Sequence, residues 1–170
     1  MKKLARLTAL LLTGALLLVL TACGAETEQQ AKQRLLKEIN SYRATLDLDP
    51  LVEVKQLSDA EQVWAEQFRA VGKTELPASE TEETFERWRS MTEDWTQRDD
   101  FGWGWDERED GEQIDILSAK VPANTPEGKA ELWTALRDSD TFDYDSCKYI
   151  GIAVVTIDGQ MYWICDVFYD

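Results

Sequence analysis

The chain has 170 residues, 44% hydrophobic and 30% charged, enough for one domain with its own core and too few for two. Its formal net charge is −15, from 18 basic and 33 acidic residues, and so negative a surface repels phosphate backbones and anionic headgroups, arguing against nucleic-acid binding. There is no histidine, which removes the usual general base, the usual zinc ligand and the serine–histidine and cysteine–histidine nucleophile pairs.

The chain opens on Lys2, Lys3 and Arg6, followed over 7–20 by an apolar run that only Thr8, Thr13 and Gly14 interrupt. This is the form of a signal peptide, shorter than the roughly 20 apolar residues a membrane-spanning helix needs. It ends in Leu20-Thr21-Ala22-Cys23-Gly24, which resembles the bacterial lipobox. The resemblance implies removal of 1–22 and lipidation of Cys23 on sulfur, with acyl chains such as palmitate; two or more chains anchor stably where one does not. The alternative is an ordinary signal peptide with a chance cysteine at the cut. Residues 23–30 read as a lipid-anchored tether, small and polar, and 31–170 as the domain. Its place is then extracytoplasmic, anchored to a bacterial membrane, where Cys147 and Cys165 could oxidise.

Leu35, Ile39, Tyr42 and Leu46 recur at helical spacing and predict a helix over roughly 28–46, which Pro50 prevents from continuing. Leu57, Ala60, Trp64, Phe68 and Val71 repeat the pattern, with Ser58 and Glu61 spaced as a capping box. Phe85, Trp88, Thr92 and Trp95 form a third stripe behind Ser79 and Glu82, a second such box. Thr125-Pro126 reads as an N-cap with proline at the first helical position, opening a helix through Leu132, Trp133 and Leu136. The period then changes. Residues 148–156 and 160–168 are rich in β-branched and aromatic types around Asp158-Gly159, a type I′ hairpin signal. Both strands are apolar on both faces, so the sheet should be covered on each side. Helices first and a buried hairpin last predict an α+β sandwich.

Several of these segments fall into a known order. Asn40-Ser41-Tyr42-Arg43, Asp49-Pro50-Leu51, then Leu57 and Ala60, are similar to the opening of bacterial CAP domains, the cysteine-rich secretory, antigen-five and pathogenesis-related superfamily. Gly111-Glu112-Gln113-Ile114 is similar to the family's G-E-N-I segment, and Thr125-Pro126-Glu127 with Trp133 to its late helix. Tyr149-Ile150-Gly151-Ile152 and Tyr162-Trp163-Ile164 resemble its final hairpin. The resemblance implies a three-layer α–β–α sandwich. Family members with a metal site build it from two histidines and two acids in a central cleft. Here Glu112 stands at the first acid, Ser139 stands where the late histidine would fall, and 91–105, where the earlier one belongs, contains none. No metal or other cofactor is therefore expected, and Glu112, Trp133 and Ser139 become candidates for lining a ligand cleft.

Carboxylates alone could hold calcium, but reading 106–117 as a calcium loop puts Arg108 and Leu117 in ligand positions, which defeats the match. Glu112 could pair with Asp94, Asp99 or Asp100 to divide acid and base roles, suiting a hydrolase of envelope polysaccharide or peptidoglycan; its simpler role is to cap or brace the fold. Trp95, Phe101, Trp103 and Trp105 lie among acids with Gly102 and Gly104 between the rings. Exposed, they would suit sugar stacking or a cationic peptide; buried, they would merely cover the sheet. For Cys147 and Cys165, compartment favours a disulfide and register opposes it. A two-residue turn at Asp158-Gly159 places Cys165 opposite Ile152, five residues from Cys147, roughly 16 Å along a strand, whereas a disulfide needs Cα atoms within about 7 Å. The function these readings imply is a surface lipoprotein whose CAP-like domain acts by binding a cell-wall component, a small apolar ligand or another envelope protein. The rival is the carboxylate hydrolase, and a ligandless spacer is the third possibility.

Overall fold

The computed structural model describes residues 26–97, 106–107, 113–115, 119–139 and 141–169. The first helix, α1 (Glu28–Ala44), opens on a reciprocal cap: Thr27 Oγ1 accepts the Gln30 N–H at 3.2 Å, and Gln30 Oε1 accepts the Thr27 N–H at 2.9 Å, satisfying two donors that a helix start leaves orphaned. Ala31, Leu35, Ile39 and Tyr42 form its buried stripe. A short strand, β1 (Val52–Glu53), leads into α2 (Lys55–Val71), which Gly72 ends in the left-handed region at φ +77°. β2 (Glu75–Pro77) and α3 (Ala78–Thr92) follow, then β3 (Thr96–Gln97), β4 (Asp106–Glu107), β5 (Gln113–Asp115) and β6 (Ala119–Lys120). Thr125 Oγ1 accepts the Gly128 N–H at 3.1 Å, capping α4 (Pro126–Ser139) as its Thr-Pro start predicts. A 3₁₀ turn (Thr141–Asp143) leads to β7 (Tyr149–Ile157) and β8 (Gln160–Tyr169).

The long hairpin is the heart of the molecule. Ile157 pairs with Gln160 and Ile152 with Cys165, the register expected for a two-residue turn. Asp158 and Gly159 both take positive φ, +49° and +79°, as type I′ demands. The main sheet runs β1-β7-β8-β3, with β6 also on β8; β1 pairs parallel to β7 and the other contacts are antiparallel. A smaller sheet has the order β2-β5-β4.

Alternation along the hairpin divides the core into two. Ile150, Ile152 and Val154, with Trp163 and Val167, face Leu35, Ile39, Leu132 and Leu136 of α1 and α4. Ala153, Val155 and Ile157, with Ile164 and Phe168, face Leu57, Ala60, Trp64, Phe68 and Trp88 of α2 and α3. The result is the α–β–α sandwich anticipated from sequence, closed by the C-terminal hairpin. At Gly151 α2 packs close on β7: a Cβ there would lie 2.7 Å from the Leu57 backbone.

Two local expectations are corrected. The second helix begins three residues before Ser58, with Val54 as an N-cap that makes no side-chain bond. Ser58 is free for tertiary use, donating to Glu53 Oε1 at 2.8 Å and accepting the Ile152 N–H of β7 at 3.2 Å. Glu61 is wholly buried and caps nothing. α3 likewise starts at Ala78, which places Ser79 and Glu82 inside it, and it ends at Thr92, so Trp95 lies beyond the helix.

Candidate functional site

The N-x-x-R pattern of α1 is structural. The Asn40 amide makes a two-way bond to the Leu51 backbone, Nδ2 to O at 3.0 Å and N–H to Oδ1 at 2.8 Å, standing in for a strand neighbour. Arg43 is fully buried. Its guanidinium donates to four carbonyls, those of Asp49 (2.8 Å), Phe142 (2.7 Å), Tyr144 (3.0 Å) and Cys147 (3.2 Å). That rigid fork clamps the chain entering β7 onto α1.

Beside this clamp, α1 and α4 bring together one of the expected cleft residues and several unexpected ones. Trp133 is half-buried, donates through Nε1 to Glu38 Oε2 at 3.3 Å, and meets the Tyr42 ring edge-on with centroids 6.0 Å apart. Lys129 Nζ lies 4.9 Å over the Trp133 ring and 2.8 Å from Glu38 Oε2, and its bond holds the Glu38 carboxyl below the usual range. Tyr42 Oη donates to Asp143 Oδ1 at 2.9 Å; burial first, and then that bond, pushes its phenol up to about 12. Ser139 is exposed and its hydroxyl is spent on the Leu136 carbonyl at 2.9 Å. Glu112 lies outside the described residues, as do Cys23, Asp99 and Asp100. Asp94 is exposed at the end of α3. Among the described residues no group of three or more acids, cysteines or histidines is placed to hold a metal, and no helix is long and apolar enough to cross a membrane.

Of the four aromatic candidates, Trp95 is described; Phe101, Trp103 and Trp105 lie outside the described residues. Trp95 packs edge-on against Tyr149 (5.1 Å) and Phe168 (6.4 Å), so it covers the sheet. It also walls a cavity of about 350 Å³ with Phe85, Trp88, Thr92 and Phe168, with exposed Arg89 and Glu93 at the rim. Phe85 and Trp88 stack there at 6.0 Å. The volume is that of a small-ligand pocket, and such pockets are mostly apolar with a few polar groups. The sequence placed Phe85, Trp88, Thr92 and Trp95 on one helical stripe; that they open onto a cavity depends on Phe168, 73 residues beyond Trp95, which no local pattern supplies.

The disulfide considered for Cys147 and Cys165 is absent: both are free thiols. The register sets Cys165 opposite Ile152, five residues from Cys147, as expected, and Cys147 is held in the core by the Arg43 clamp on its carbonyl. Burial, with the nearby Asp166 and Glu61 carboxyls, pushes the Cys165 thiol well above its usual range, which suppresses the thiolate that oxidation requires.

Sequence reasoning missed one group altogether. Glu61 of α2 and Asp166 of β8 are buried together, 0% and 4% exposed. The signal was present: Glu61 sits inside an apolar stripe, and Asp166 inside a strand covered on both faces.

The model of the cysteine-rich secretory protein (CAP) family matches residues 36–167. No curated protein and no solved structure matches the chain.

Proposed function

Because the chain belongs to the cysteine-rich secretory protein (CAP) family, we propose that its domain is a binding module, anchored outside the cytoplasm through lipid on Cys23, that takes its ligand in the pocket of α3 and β8. The observation that carries this reading is the cavity of about 350 Å³ walled by Phe85, Trp88, Trp95 and Phe168. The half-buried rings of Phe85 and Trp95, backed by the buried Trp88 and Phe168, offer a sugar ring apolar surface, and the rim pair Arg89 and Glu93 can meet hydroxyl or amide groups. A cell-envelope glycan is therefore the proposed ligand. The metal set of the family needs two imidazoles, which a chain without histidine cannot supply.

Purified chain sedimented with purified cell wall tests the reading. The wild type should pellet with the wall, and Trp95→Ala should weaken binding on the order of tenfold, the loss expected for one stacked ring. Equal binding by Trp95→Ala would remove the pocket from the proposal, and release of soluble sugar fragments would replace binding with hydrolysis. Cys23→Ser should abolish incorporation of labelled palmitate.

A further inference from the structure

A groove of about 710 Å³ is lined by the outer face of α1 and by Asn124 of the connector between β6 and α4. It belongs to the layer of the sandwich opposite the pocket of α3 and β8, and its volume is that of a ligand site. Gln30, Gln33, Arg34 and Lys37 follow the i, i+3, i+4, i+7 spacing of one helical face. The local charge runs against the rest of the molecule. The chain has 33 acidic and 18 basic residues, yet α1, alone among the described helices, has more basic side chains than acidic ones. It carries Lys32, Arg34, Lys37 and Arg43 against Glu28 and Glu38.

Arg34 is fixed in the wall of this groove. Its side chain is 14% exposed. Nε and Nη2 donate to the Glu26 carboxylate at 2.7 and 2.8 Å, and Nη2 also donates to the Pro122 carbonyl at 2.9 Å. Among the described residues nothing accepts from Nη1, so a rigid cation keeps that nitrogen's N–H donors unspent. Lys37 is exposed and forms no ion pair among the described residues. Glu38, also in the lining, is bonded by Lys129 at 2.8 Å and by Trp133 at 3.3 Å. Arg34 thus answers the charge of Glu26 and Lys129 that of Glu38, and Lys37 leaves the groove net positive.

We propose that this groove is a binding site, distinct from the pocket of α3 and β8, for the C-terminal carboxylate of a short peptide. The carboxylate meets the Lys37 ammonium and Nη1 of Arg34, neighbours one turn apart on the helix, in charge-assisted hydrogen bonds. Because Arg34 is already held, binding does not bear the cost of ordering it. Gln30, Gln33 and Asn124 each offer a donor and an acceptor, the complement of a main-chain amide. Among the described residues no aromatic side chain lines the groove, so a sugar ring finds no face to stack on. The carboxyls of Glu26 and Glu38 are held below their usual range by Arg34 and Lys129. Ionised, they oppose a ligand of higher negative charge. A carboxylate brings one charge, a phosphate group roughly 1.5 to 2.

The experiment follows NMR spectra of the isotopically labelled full chain during titration with N-acetyl-trialanine, its C-terminal amide and inorganic phosphate. The free carboxylate should shift the backbone amides of 26–38 and 122–124, and both other probes should bind more weakly. Lys37→Gln removes an exposed side chain and should weaken binding of N-acetyl-trialanine on the order of tenfold, the loss of one charged hydrogen bond. Asn124→Asp, which sets a negative charge in the facing wall, should weaken it as well. Absence of shifts in those segments would overturn the proposal, as would an equal response to the amide. Tighter binding of phosphate would replace the peptide with a phosphate ligand, and undiminished binding by both variants would remove the groove from the interaction.

Discussion

Arg43 brings a full charge into the core and meets four carbonyl oxygens there. Arg43→Met keeps the volume but strands those acceptors, and should lower the unfolding free energy by roughly 3–5 kcal/mol in denaturant titrations. Arg43→Lys should not restore it, because one ammonium cannot span the fork. The sequence pointed to Asn40 and Arg43 through their spacing alone. Their purpose stayed hidden because three of the four partners of Arg43 lie 99 to 104 positions away, beyond any local pattern. At Tyr42 the phenol, ordinarily 10.0, rises to about 12. The stability it lends is fully present below pH 10 and is lost as pH climbs through about 12. Tyr42→Phe should cost about 1 kcal/mol near neutrality and remove that part of the alkaline loss, as thermal unfolding at pH 7 and pH 11 would register.

At the scale of elements, two glycines of one hairpin separate conformation from space. Gly159 occupies φ +79° with nothing near its missing Cβ, so Gly159→Ala should cost about 1 kcal/mol through backbone strain. Gly151 has an ordinary backbone, but its Cβ would meet Leu57 carbonyl atoms at 2.7 Å. Gly151→Ala must push α2 off the sheet and should cost about 1–3 kcal/mol; equilibrium unfolding of both variants should rank Gly151→Ala as the worse. The hairpin was readable in the sequence because its turn and period are local properties of 149–169. The start of α2 was misread for the opposite reason: Ser58 and Glu61 have capping-box spacing, but the fold uses one to tether β7 and buries the other against β8.

Across the whole molecule, pH acts with two opposite signs. The carboxyls of Glu26, bonded by Arg34, and of Glu38, bonded by Lys129, lie below the usual range. So does that of Glu28, where burial works against the charge but Arg69 and Thr156 outweigh it. Each of these terms is present above about pH 4.5 and fades as pH falls through the native values. Glu61 works the other way, burial and then Asp166 holding its carboxyl well above 4.5, so the melting temperature should pass through a maximum on the acid side of neutrality and decline on both flanks. The three-layer plan behind this was legible, since strands apolar on both faces demand cover on both faces. The candidate site was legible only in part. Trp95 stood out as one aromatic among several, but its pocket needs Phe85 and Trp88 from α3 and Phe168 from the last strand, and that convergence belongs to the tertiary structure.

The position of the hairpin in chain order has a consequence for how the molecule assembles. All four of the described helices precede β7 and β8, yet each helical layer rests on those two strands. A polypeptide emerging N-terminus first, from a ribosome or through a narrow channel, has nothing to close upon until its final segment is free. It should remain loose and protease-sensitive throughout that passage, then complete both cores in one late step. Chains lacking 160–170 should accordingly show helical signal at most, without a cooperative melting transition.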